Sequence, residues 1–230
     1  MLQERKHLIV LSALVAMLVA QPLLAPGAIA VRHLHGGLLA AVLLGVVFTV
    51  FGQRWERGVA LALVLPAIAI EVAHIVLPDR PQERLALVSH AFIVAFVGFA
   101  VTVILRDILR KRVVRGDDVF GAISGYLLVG ILWANFYVVA ELLAPDSFSV
   151  APEIAWQLRE WGLRRALFTY FSFATMTSLG YNDITSVAPM TDTLTWLEVI
   201  FAQFYMAVVV AQLVGMKLAQ AITPDSVEPK

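Results

Sequence analysis

The residue types best suited to handling a ligand stand together in one run, Tyr170-Phe171-Ser172-Phe173-Ala174-Thr175-Met176-Thr177-Ser178-Leu179-Gly180-Tyr181-Asn182-Asp183-Ile184-Thr185. Its first part is apolar and aromatic and reads as a short helix; Gly180, Asn182 and Asp183 then turn the backbone. The stretches on either side are apolar enough to lie in a membrane. Backbone without its own hydrogen bonds is tolerated at that depth only where protein buries it or it lines water, so the run is expected to face an aqueous axis. Nothing competes with it as a catalytic constellation. The chain has no cysteine, which removes disulfides, thiolate metal sites and a cysteine nucleophile. His33-x-His35 supplies too few convergent ligands for a metal site. The expectation is therefore a protein that is not an enzyme and needs no cofactor.

Other ionisable residues fall inside apolar stretches, where they are functional candidates by default. Glu71 and His74 are three apart, on one face of a helix, and His90 lies on the next stretch. A buried Glu-His pair serving structure and a proton-sensitive switch both remain open for these three. Glu141 and Glu198 fall near the ends of two further stretches.

These residues need elements to hold them. Of 230 residues 60% are hydrophobic and 15% charged, and the mean hydropathy is +0.83, so lipid must be the main solvent. Net charge is +0, from 17 basic and 17 acidic residues, which gives no field to attract nucleic acid. Six runs are long enough to cross a bilayer: Leu8 to Leu24, His35 to Gly52, Gly58 to Leu77, Leu85 to Leu105, Val119 to Leu143 and Leu194 to Leu218. A seventh, Arg164 to Thr177, falls short of the ~20 residues a crossing needs and fits a re-entrant half-helix. With the N-terminus inside, Arg5, Lys6, Arg54, Arg57, Arg106, Arg110, Lys111, Arg112, Arg115, Lys217 and Lys230 are cytoplasmic. Outside fall Arg32, Arg80, Arg84, Arg159, Arg164 and Arg165. Both termini are thus expected in the cytoplasm of a multi-pass cell-membrane protein. Read the other way, Arg5 and Lys6 before an apolar run, with Ala28-Ile29-Ala30 as a cleavage site, would make the first segment a signal peptide and leave five spans. That breaks the even topology that puts Arg106 to Arg115 inside.

The run from Thr175 to Asp183 resembles the ion filter of the potassium-channel family, whose pattern is Thr-Val-Gly-Tyr-Gly followed by Asp. Leu197-Glu198 and Gln203 to Gly215 resemble the inner helix of its small bacterial members. Together the resemblance covers about Val119 to Ala219. It implies an all-α membrane protein of six transmembrane helices with a re-entrant pore helix and filter loop between the fifth and sixth. Such a protein would sit in a bacterial inner membrane and assemble as a homotetramer that passes K+. Thr177, Ser178, Leu179, Gly180, Tyr181 and Asn182 would form the filter, with carbonyl rings replacing the ion's hydration shell. Asp183 would stand at the outer mouth. Leu179 and Tyr181 would turn away from the ion path, braced by Tyr170 and Phe171, while Glu198 would hydrogen-bond behind the loop. Two residues depart from the pattern: Ser178 stands where Thr is usual, and Asn182 where the second glycine lies.

The charged connector Arg106 to Asp118 divides the chain into a four-helix unit (1–115), a pore unit (116–222) and a short disordered tail (223–230). The fourth run carries no arginine in its interior, so strong voltage sensing is not expected. A membrane sensor or accessory subunit with a non-conducting pore module, and a weakly selective monovalent cation channel, are the alternatives. The expected partners are identical copies and membrane lipid.

Overall fold

The computed structural model describes residues 6–23, 29–76, 83–111 and 115–222. The expectations for residues 112–114 of the connector and for the tail lie outside them. The protein is mostly helical: α1 (Lys6–Leu23), α2 (Ile29–Val50), α3 (Arg54–Val76), α4 (Glu83–Arg110), α5 (Gly116–Leu143), α6 (Trp161–Met176) and α7 (Pro189–Ile222). Apolar composition alone makes helices here, because a helix satisfies its backbone internally and needs no partner in lipid. Among the described residues three segments, Arg84–Arg110, Gly116–Leu143 and Pro189–Gln220, are long and apolar enough to cross a membrane, against the six runs expected from the sequence.

These helices run longer than the apolar runs that announce them or shift by a few residues, since polar residues continue a helix past the apolar run. The charged connector is the clearest case. Residues 106–110 are the last turns of α4. Lys111 Nζ then lies 2.8 Å from Asp107 and 2.5 Å from Asp118. Burial alone would lower the Lys111 ammonium, but the hydrogen bonds and charges of those two aspartates outweigh it and raise its pKa. Asp117 accepts from the N–H groups of His7 (3.4 Å) and Leu8 (3.3 Å), so it ties the start of α1 to the start of α5.

The two units divided by sequence share one apolar core. Val10, Leu14 and Met17 of α1, Val46 and Val47 of α2, Val64 of α3 and Phe96 and Val97 of α4 join Leu128 and Val129 of α5 and Ala202, Tyr205 and Val209 of α7. Phe51 stacks on Phe99 at 5.0 Å. The Tyr205 hydroxyl donates to the Ala122 carbonyl at 2.7 Å.

One short feature is not helical. Phe148–Val150 (β1) and Ile184–Ser186 (β2) form an antiparallel ribbon that pairs Phe148 with Ser186, Ser149 with Thr185 and Val150 with Ile184. Three residues hold too little alternation to be read as a strand from sequence. The connection between α5 and α6 also contains a 3-10 turn, Ala155–Arg159.

Candidate functional site

The site begins with the end of α6. Its 16 residues span roughly 24 Å at the ordinary rise per residue, less than a bilayer core. The helix closes in a Schellman arrangement: the Ser178 N–H donates to the Thr175 carbonyl at 3.0 Å and the Leu179 N–H to the Ala174 carbonyl at 2.8 Å. That closure requires a left-handed residue after the cap, normally glycine. Ser178 takes the position, with φ 57°.

The left-handed conformation then recurs at every second residue. Gly180 has φ 61° and Asn182 φ 65°, and neither Leu179 nor Tyr181 has a positive φ. In an ordinary strand successive carbonyls point to opposite sides. Alternating the hand of the backbone turns successive peptide groups towards a common side, as in the backbone concavities that bind ions. Among the described residues nothing accepts from the N–H groups of Gly180, Tyr181 or Asn182. Thr177 through Asn182 are exposed.

Both ends of the loop are held while its middle is open. The Tyr170 ring of α6 stacks on Tyr181 with centroids 6.2 Å apart and planes 13° from parallel. Its hydroxyl donates to Asp183 Oδ1 at 3.3 Å. The Asp183 carbonyl accepts from the Ala151 N–H at 2.9 Å, where the loop enters the ribbon. Phe171 takes another direction: it packs on Tyr137 at 5.0 Å and Phe148 at 5.6 Å, in the buried cluster between α5, α6 and the ribbon. A cavity of about 360 Å³ opens between the loop and α7, lined among others by Tyr170, Ser178, Gly180, Tyr181, Thr195 and Val199.

Behind the loop Glu198 is fully buried. A carboxylate there must have donors. The Tyr137 hydroxyl donates to one of its oxygens. The Ser172 hydroxyl lies 2.5 Å from the other and 2.8 Å from the Gly130 carbonyl. One carboxylate thus draws α5, α6 and α7 together at the level of the loop.

A second polar group sits where α3, α4 and α5 meet the start of α6. Glu71 forms a buried ion pair with Arg165. His90 is buried and hydrogen-bonds Asn135 at 2.7 Å, within electrostatic reach of both Arg165 and Glu71. Of the three residues read together in the sequence, Glu71 and His90 therefore share one neighbourhood; the side chain of His74 lies outside the described residues. Glu141 accepts from the N–H groups of Asp146 and Ser147, both at 3.1 Å, and so caps a turn.

Sequence reasoning missed four partners: Arg165, Asn135, Tyr137 and Ser172. An arginine or asparagine within an apolar helix signals that a partner is required, though not which one. Among the described residues no cluster of three or more His, Asp or Glu could hold a metal ion. The chain matches no protein-family model, no curated protein and no solved structure.

Proposed function

We propose that this chain is one subunit of a homotetrameric potassium channel, in which α1 to α5 and α7 cross the cell membrane, α6 is the re-entrant pore helix and Thr177 to Asp183 is the ion filter. The observation that carries the reading is the alternation of backbone hand at Ser178, Gly180 and Asn182 immediately after a half-length helix. A loop of this kind is costly in lipid unless it faces water or an ion, and its peptide groups are turned to a common side.

Around a fourfold axis the carbonyls of Ser178, Leu179, Gly180 and Tyr181 stack as rings that stand in for an ion's water shell, and the Ser178 hydroxyl completes the innermost site. The C-terminal end of α6 adds partial negative charge where a cation sits. Asp183 raises the local cation concentration at the outer mouth. Asn182 fills the second glycine position without breaking the pattern, because asparagine tolerates the left-handed conformation better than other side chains. Transport is passive and both termini are cytoplasmic.

The test is Gly180→Ala. Within one chain the added methyl meets nothing within 4 Å, so folding is expected to survive. Its cost is the left-handed backbone, about 1 kcal/mol, and disturbed carbonyl rings. In liposomes the variant is expected to assemble as wild type does yet lose potassium flux or its discrimination against sodium. A sensor or accessory subunit with a vestigial loop would tolerate the alanine unchanged.

A further inference from the structure

The four-helix unit touches the pore helix through a buried charge pair, and that contact carries a role beyond packing. Arg165 lies in the second turn of α6 and is 5% exposed; Glu71, at the far end of α3, is 8% exposed. Among the described residues the Arg165 side chain has one hydrogen-bonding partner, Glu71, and its Nε has none. A buried guanidinium with a single carboxylate partner depends heavily on it. Seven residues on, the same face of α6 presents Ser172 to Glu198 and Gly130. The pore helix is therefore fastened at two heights: to α5 and α7 near the loop, and to α3 near its start.

We infer that Glu71 is a positioning residue for the filter, holding α6 through Arg165 so that the four-helix unit acts on conduction through this tie. The inference rests on the channel reading. An apolar contact at the same place would let α6 slide or roll at little cost, as lipid-like surfaces do. An ion pair in a nonpolar setting has a definite geometry and a large penalty for parting. Any displacement of α3 is transmitted through Arg165 along a rigid helix whose other end is the Ser178 turn. His90 and Asn135, hydrogen-bonded to each other beside the pair, fix α4 to α5 at the same level.

The test compares wild type, Glu71→Gln, Arg165→Gln and the double variant, purified as tetramers in liposomes. Two readouts are taken: the potassium-to-sodium permeability ratio, and amide hydrogen exchange of residues 177–183. Glu71→Gln keeps the size of the side chain and removes its charge. It is expected to lower the permeability ratio about tenfold, within the range by which mutations along a coupling path act, and to speed exchange in 177–183. Adding Arg165→Gln to Glu71→Gln is expected to bring no further loss, because both changes break one tie; losses that multiply would mark two independent sites and overturn the inference. A permeability ratio and exchange pattern in Glu71→Gln equal to wild type would also overturn it. If wild type itself shows no preference for potassium, the channel reading fails; the exchange measurement still decides separately whether Glu71 orders the loop.

Discussion

At the scale of single residues, three positions share one backbone conformation for three different reasons. Ser178 is left-handed because α6 closes over it, with Ala174 and Thr175 supplying the carbonyls. Gly180 is left-handed because it alone lacks the Cβ that opposes it. Asn182 is left-handed at the cost of some strain, about 1 kcal/mol less for glycine. Asn182→Gly is accordingly expected to leave conduction intact, to preserve or sharpen potassium selectivity, and to raise the thermal midpoint slightly. Collapse of the current in this variant would mean that the Asn182 side chain makes a contact the channel needs. The left-handed turn at Gly180 was legible from residue type and spacing. The hand of Ser178 was not, because a helix cap sets it rather than any preference of serine. Nor was the partner of Glu71, since Arg165 lies 94 positions away and only the fold brings them together.

At the scale of elements, α6 sits against α5 because Gly130 makes room. A Cβ built on Gly130 would lie 2.7 Å from the Phe173 ring and 3.2 Å from the Met176 sulfur. Gly130→Ala is expected to push α6 outward and to destabilise the protein by about 1–3 kcal/mol, the usual range for overpacking. Gly45→Ala, in the interior of α2 where nothing stands within 4 Å, is the matched control and should be neutral to stabilising by up to about 1 kcal/mol in the same thermal unfolding assay. The second element-level expectation concerns α4. Its basic residues are Arg84, Arg106 and Arg110, all near its ends, whereas a voltage sensor moves several charges through the membrane field. A conductance-voltage relation in planar bilayers should therefore be shallow, with less than about one gating charge per subunit; a steep curve would contradict this. Helices were legible throughout because long apolar runs have few other solutions in lipid. The β1–β2 ribbon was not, because its strands are too short to carry a pattern and exist only by pairing across the site.

At the scale of the whole molecule, one chain leaves its loop and much of α7 uncovered. The loop 177–182 is exposed, with Leu179 at 56% and Tyr181 at 62%. Among the described side chains of α7 only Thr191 in its first turn and a narrow stripe, Glu198, Ala202, Tyr205 and Val209, are buried by the rest of the chain, leaving large residues such as Phe201, Phe204, Met206 and Val210 exposed. A fourfold arrangement would cover part of that surface with neighbouring copies and leave the remainder to lipid and to the aqueous axis. The most direct test is the reversal potential of the purified wild-type tetramer in planar bilayers, with potassium on one side and sodium on the other. The current is expected to reverse far from zero, towards the potassium equilibrium potential. Reversal near zero, or no current from intact tetramers, would contradict the assignment of Thr177 to Asp183 as a potassium filter.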